Sequence, residues 1–479
     1  MRSLFLGMFT LWVCAPCPLP AESSKSVEGS ENGSFPPRTI SNQGTTPSSA
    51  SHESVLSITH PLSLADAIDL ALRQNPAILR AQKELEAARG VVIQTRAIVV
   101  PKVRATGSYA AIEPSDVDKP PVKIPGFTFG TDQSWGSQIR LEQSLYEGGR
   151  IVSSLRAARL MEEQAMVNFQ TAIANAVLEV QIGYYDVLLA AQRITVQAAS
   201  VELLESELAD TSRRFNAGTV PRFNVLRAEV ELANARPRLI RARNGLNIAK
   251  DNLANLLGLA MPRETLQKIP LELSGRLEAE PYAIELPQAI ALALERRTEL
   301  ASLSKTQALR KEDIAGAKGG YKPSVQAFAG YDAHSSIFSS DLTREVHGWI
   351  TGVQVTWDIF DGLRTSGKVK EAQALYDRAG IEWDDSARRI ELEVRTAYSN
   401  FIEAGEVLKS QEKVVEKAEE ALRLATSRSG AGTGTQLDVL SAQTALTEAR
   451  TTQIQALHDY SVARARLERA VGANVPEQR

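Results

Sequence analysis

The chain aligns with itself, and that self-match limits the folds open to it. Leu64, Ala67, Ile68, Leu70, Ala71 and Leu72 recur 222 positions later as Leu286, Ala289, Ile290, Leu292, Ala293 and Leu294. At the same offset Pro101, Val103, Ala105 and Tyr109 return as Pro323, Val325, Ala327 and Tyr331. From residue 139 onward the offset is 214: Gly148 and Arg150 match Gly362 and Arg364, and Leu178, Glu179, Val180 and Tyr184 match Leu392, Glu393, Val394 and Tyr398. Arg214, Ala217, Gly218 and Thr219 likewise match Arg428, Ala431, Gly432 and Thr433. The difference of 8 residues falls between Tyr109 and Ile139, where a length change belongs in a surface loop. The chain is two copies of one unit, the first with the longer loop.

Each copy opens with a helix. Ser63 and Asp66 have capping-box spacing, and Pro287 sits in the first helical turn, where its missing N–H costs nothing. Pro101 and Pro323 end these helices, and the apolar period changes from 3.6 to 2. Val103, Ala105, Gly107 and Tyr109 alternate with Arg104, Thr106 and Ser108, while Ile139, Leu141 and Leu145 alternate with Gln138, Arg140, Glu142 and Ser144. Val325, Ala327, Ala329 and Tyr331 form one face in the second copy, as do Val353, Val355, Trp357 and Ile359. Four strands of about ten residues with one apolar face have the dimensions of transmembrane barrel strands. Tyr109, Trp135, Tyr146, Tyr331, Trp349, Trp357 and Phe360 cluster near strand ends, as interfacial girdles do. On the strands alone, a soluble two-sheet sandwich under helices stays open.

After Gly148 and Gly362 the helical period runs without a slip. Ile173, Val177, Val180, Tyr184, Val187, Ala191, Ile194, Ala198 and Val201 share one stripe, and Gly183 alone interrupts the stretch from Ile151 to Asn216. Such a helix is roughly 100 Å long. Its return partner alternates Ala228, Leu232, Ala235, Leu239, Ala242 and Leu246, a spacing that lets two helices approach closely, with Pro237 expected to kink it. A helix of this length has no globular core to cover, so a coiled wall is the economical reading.

The amino terminus reads as an export leader over residues 1–21: Arg2, an apolar run from Ser3 to Ala15, then Pro18, Pro20 and Ala21. Both cysteines, Cys14 and Cys17, lie in it, so the mature chain is expected to be cysteine-free, with lipidation of either as the alternative. Residues 22–60 are rich in Ser, Pro, Gly, Asn and Thr and read as a tether. The first repeat then spans 61–258, a connector 259–283, the second repeat 284–472 and a tail 473–479. No later stretch approaches 18 consecutive apolar residues, so a membrane crossing is expected to use strands. A net charge of −3, with no basic half, argues against a nucleic-acid partner.

Four motifs, met in order, carry a resemblance: Leu62–Ile78 (LSLADAIDLALRQNPAI), Leu145–Arg150 (LYEGGR), Arg214–Val220 (RFNAGTV) and Gly432–Leu440 (GTGTQLDVL). Over residues 61–475 the chain resembles the TolC family of outer-membrane efflux proteins. The resemblance implies a mainly helical chain with four strands, whose homotrimer forms a 12-stranded transmembrane barrel continued by a helical barrel in the periplasm. It implies outer-membrane lipid around the strands, and partners in a periplasmic adaptor (membrane fusion) protein and an inner-membrane pump or ABC transporter. The helix tips Ala217, Gly218, Thr219 and Ala431, Gly432, Thr433 match the adaptor-docking motif, although both glycines are also turn residues. Gate candidates are Arg222, Asn224, Arg227 and Asp438. Only Asp438 matches an acidic ring position of the family; Asn224, Gly434 and Ser441 stand where the family has other charges, and Asp438 also suits a helix start.

No cofactor or enzymatic constellation is visible. Gly430, Gly432 and Gly434 follow a helix rather than a strand, unlike a nucleotide loop. His334 and His347, two histidines without a carboxylate or thiol cluster, make a poor metal site. The rival readings are an exported coiled-coil protein without a pore, which leaves the strands unexplained, and a passive porin, which leaves the long helices unexplained.

Overall fold

The computed structural model describes residues 61–113, 132–259, 271–336 and 341–473, all within one compact unit. The expected leader, tether and end of the tail lie outside the described residues, as does part of the connector. In chain order the elements are α1 (Leu64–Gln74), α2 (Pro76–Arg96), β1 (Lys102–Ala111), β2 (Gln133–Glu147), α3 (Arg150–Asn216) and α4 (Arg222–Leu256). The second copy repeats them as α5 (Leu286–Arg296), α6 (Thr298–Lys318), β3 (Ser324–Ser335), β4 (Glu345–Thr356), α7 (Arg364–Gly430) and α8 (Gln436–Val471).

The opening of each repeat is two helices, not the one expected. Pro76 has no N–H to give a continuing helix and pushes Asn75 into an extended conformation (ψ 124°). Asn75 then caps α2, its Oδ1 accepting from the N–H groups of Ala77 at 2.8 Å and Ile78 at 3.4 Å. Arg297 breaks the second copy at the equivalent place. The capping box is present: Asp66 N–H donates to Ser63 Oγ, and Ser63 N–H donates to Asp66 Oδ2, each at 3.2 Å.

Helices α3 and α7 are each 67 residues long. On the sheet side they belong to a layer ordered α2–α3–α6–α7, and on the far side to one ordered α4–α3–α8–α7. The shorter helices are therefore stacked end to end alongside the two long ones. One window of α3 is apolar enough on average to cross a membrane (mean hydropathy 1.3 over 18 residues). Abundant alanine raises that mean without an unbroken apolar run, and the helix packs along α2, α4, α6 and α8. Helix α4 continues through Pro237 without a break.

The two cores repeat as well. Ala67 and Ala71 of α1 pack on Val180, Tyr184 and Leu253, while Ala289 and Ala293 of α5 pack on Ile390, Val394 and Leu467. Small residues at these positions let α1 and α5 lie close against the long helices, and all four alanines are buried.

The strands form a single antiparallel sheet in the order β1-β2-β3-β4. Register fixes its two faces. Val103, Leu141, Ile139, Ala329, Val325, Val353 and Val355 share one side, and Arg104, Gln138, Arg140, Gln326 and Gln354 share the other. Among the described residues no second sheet and no helix covers the apolar side. Val103 is 70 % exposed and Trp349 80 %, which excludes the sandwich. The sequence pattern erred at one point. A bulge between Ser144 and Tyr146 makes Leu145 the extra residue, so Tyr146 pairs with Val325 on the apolar side, where strict alternation would have turned it away.

Candidate functional site

At the tip of the first hairpin Gly218 adopts φ +76°, and Thr219 donates both its N–H (3.0 Å) and its hydroxyl (2.9 Å) to the Arg214 carbonyl. At the second tip Gly432 has φ +74°, and Thr433 makes the same two bonds to the Arg428 carbonyl at 2.9 and 3.3 Å. This is a Schellman closure in both copies, and it explains why Arg-x-x-Ala-Gly-Thr recurs: glycine supplies the left-handed residue and threonine satisfies the arginine carbonyl in the last turn. A Cβ added at Gly218 or Gly432 would meet nothing within 4 Å. Ala217, Gly218, Thr219, Ala431, Gly432 and Thr433 are all exposed.

The two tips lie side by side and bound a cleft of ≈ 700 Å³. Asn224 and Arg227 line it with Arg214 and Glu207; Arg222 and Asp438 do not. Asp438 is engaged in the cap of α8, accepting from Thr435 N–H at 2.9 Å, and this bond with that of the Thr435 hydroxyl holds its carboxyl below the usual range. Glu207 was not singled out in the sequence. Burial pushes its carboxyl up, against hydrogen bonds from Thr211 and Gln436. Gln436 Nε2 also donates to Thr211 Oγ1 at 2.7 Å, tying the start of α8 to α3. Nothing in a polar helix face announces such a link, because it depends on residues 225 positions apart.

Where the stacked helices meet, repeat-equivalent residues do equivalent work with different chemistry. Asn75 Nδ2 donates to the Leu256 carbonyl at the end of α4 (2.7 Å). Its counterpart Arg297, 6 % exposed, donates to the carbonyls of Arg469 and Ala470 at the end of α8 (3.3 and 3.4 Å). Arg297 also clamps Glu393 with two bonds of 2.9 and 2.8 Å and reaches Glu299 at 3.0 Å. Arg469, equally buried, bonds Glu299 (2.6 Å) and Asn175 (2.7 Å). Burial raises the Glu299 carboxyl, but the Arg469 hydrogen bond and the two guanidinium charges outweigh it and hold the group below its ordinary value. Nearby, His458 of α8 bridges Asp186 of α3 (2.8 Å) and Asp459 (3.0 Å).

The aromatic residues divide by end. Tyr109 pairs with Trp135 beside the loop end of the sheet, and Tyr331 pairs with Trp349, centroids 5.2 Å apart, four residues further in. Tyr146, Trp357 and Phe360 sit at the helix end, the last two beyond β4; Trp357 Nε1 donates to the Tyr321 carbonyl at 3.2 Å. His334 and His347 point to opposite faces of β3 and β4 and do not converge.

An uncovered apolar sheet face, set on paired helices of roughly 100 Å, defines the class of outer-membrane channels with a helical extension into the periplasm. The family model described as "Outer membrane efflux protein" matches residues 67–259 and 289–473, one stretch per repeat. The outer membrane protein TolC of Escherichia coli K12 is 25 % identical over 354 residues, 70 % of this chain and 69 % of the relative. The alkaline protease secretion protein AprF of Pseudomonas aeruginosa is 26 % identical over 412 residues, 85 % and 83 % of the two chains. In fold, the outer membrane protein VceC of Vibrio cholerae superposes with a TM-score of 0.71 at 17 % identity, covering 85 % of this chain and 96 % of that one. The chain belongs to the outer membrane efflux protein family. It is an outer-membrane channel protein whose helices occupy the periplasm.

Proposed function

We propose that three copies close side by side into one duct that carries substrates out from an inner-membrane pump or ABC transporter. One observation carries this: every lateral edge of the described chain is unpartnered. Neither β1 nor β4 has a second strand among the described residues, and lipid does not tolerate an open row of backbone groups. The outer helices α4 and α7 leave apolar side chains exposed along their lengths, among them Val230, Ile240 and Ile248 on one and Leu392, Ile402 and Val414 on the other. Three copies bring twelve strands, an even number suited to a closed barrel. The aromatic residues at the two ends then serve as girdles. The mass of the protein extracted in detergent tests the reading: three copies of the chain are expected, and a folded, membrane-resistant monomer would refute it.

The helix tips form the docking end for the periplasmic adaptor. Their paired Schellman turns present exposed Ala, Gly and Thr, small side chains that another helical hairpin can approach closely. Asn224 and Arg227, which share the inter-tip cleft, act as gate residues, with Arg222 and Asp438 at its margin. The likeness to AprF, named for protease secretion, favours a type I secretion role. Deleting the cell's ABC-transporter genes one at a time and assaying secreted protein would test it; unchanged secretion in every deletion would refute it.

A further inference from the structure

On the polar face of the sheet Arg104 and Arg140 stand directly opposite each other across β1 and β2. The Cβ atoms of such a pair lie about 4.5–5.5 Å apart, and like charges so placed destabilise a sheet. One step nearer the helices the same strands set Lys102 opposite Glu142, the favourable arrangement. The like-charge pair is only partly relieved by its surroundings. Glu142 Oε1 forms an ion pair with Arg140 Nε at 3.2 Å but no hydrogen bond, and Lys102 stands opposite the same carboxylate, so one negative charge faces three positive ones here. The Arg140 guanidinium rests over the Phe328 ring, 4.4 Å from its centroid, which fixes its position and supplies no negative charge. Arg104 has no carboxylate within ion-pair distance among the described residues. The next carboxylate on this face, Asp332, lies 3.5 Å from His334. Beyond Arg140 the same row continues with Gly330 and Ile350, neither of which brings a counter-charge.

We infer that Arg104 and Arg140 form an anion-binding belt inside the barrel, taking the carboxylate, sulfonate or phosphate groups of solutes passing through it. The inference rests on the three-copy duct, which turns the polar face into a water-filled lumen and brings six guanidinium groups to one level. A guanidinium fork matches those anions with two parallel bonds, and rings of arginine are how pores favour anions. Three cations around one carboxylate leave a surplus of positive charge, which is relieved when an anion lies between the two arginines.

The test uses the full chain in outer membranes with Thr106→Cys, a position on the same face beside Arg104 and opposite Gln138. Its rates of modification by an anionic and a cationic methanethiosulfonate reagent are compared at low salt, with the parent chain as control. The anionic reagent should react faster by about 10-fold, the ratio falling toward unity in high salt as the belt is screened. Combining Arg104→Gln with Arg140→Gln should abolish the preference, while Arg104→Lys with Arg140→Lys should keep it. Assembly of each variant is followed by its trimer band. A ratio indifferent to the glutamine pair, or lost equally in the lysine pair, overturns the belt and leaves the duct standing. Reaction at Ala105→Cys but not at Thr106→Cys would show that the polar face is not water-lined and overturn both.

Discussion

Arg297 does in the second repeat what Asn75 does in the first, and the two should differ in cost when removed. Arg297→Ala leaves half-exposed Glu393 without its clamp and the last carbonyls of α8 without a donor, while Glu299 keeps Arg469, a loss of about 2–4 kcal/mol. Asn75→Ala removes one cap and one neutral bond, about 1–2 kcal/mol. Thermal denaturation in detergent should rank them so; equal shifts would deny the charged joint its role. His458 adds a pH dependence. Burial pulls its pKa down, but the hydrogen bonds to Asp186 and Asp459 outweigh this and raise it above the ordinary 6.5. Its stabilisation is therefore full below 6.5 and is lost as pH rises through the raised value. His458→Gln should lower the melting temperature by a few degrees at about pH 6 and by much less at about pH 9. A difference that does not shrink with pH would rule out the charged bridge. Neither joint was legible in the sequence. Asn75 and Arg297 fall at the same offset, yet their distant partners lie 96 to 181 residues away and follow no period.

At the scale of elements, periodicity served where nothing but periodicity mattered. The first long helix was expected from Ile151 to Asn216 and runs from Arg150 to Asn216, since an unbroken 3.6-residue stripe leaves no other choice. The breaks at Asn75 and Arg297 escaped because the apolar stripe continues across them while the backbone does not. The bulge at Leu145 escaped because alternation counts residues and cannot register one extra. That bulge leads into Gly148 and Gly149, where β2 turns into α3, and the two glycines are not equivalent. Gly148 has φ +65°, and a Cβ there would lie 2.2 Å from the Gly319 carbonyl oxygen, whereas Gly149 has φ +96° and open space. Gly149→Ala should cost only the strain of a left-handed residue, about 1–2 kcal/mol. Gly148→Ala must also push β2 away from α6, and should reduce the trimer band in outer membranes several-fold beyond its neighbour's effect. Equal trimer yields would mean that the strand-to-helix corner is free to give.

For the whole molecule, the repeat, the strand count and the long hairpins were all legible, and four motifs in order carried the resemblance to the family. What the hairpin ends do is a separate matter, because the tip motif is fully accounted for as a turn. A turn glycine and a docking glycine predict different variants. If Gly218 and Gly432 serve only to close their helices, a bulky replacement acts through backbone strain alone. That strain is about 1–2 kcal/mol per site, confined to the last turn of a hairpin whose remaining length is untouched. Nothing lies within 4 Å of a Cβ at either glycine, so no clash adds to it within the chain. Gly218→Trp and Gly432→Trp should therefore fold, insert and assemble like the parent. If the tips also dock a partner hairpin, the same indoles stand where its backbone must approach, and export should fall to background while trimers remain at parental levels. Measuring export and outer-membrane trimer in the same cells separates the cases. Normal export in both variants would remove the tips as the docking surface, and loss of trimer together with export would assign the defect to folding.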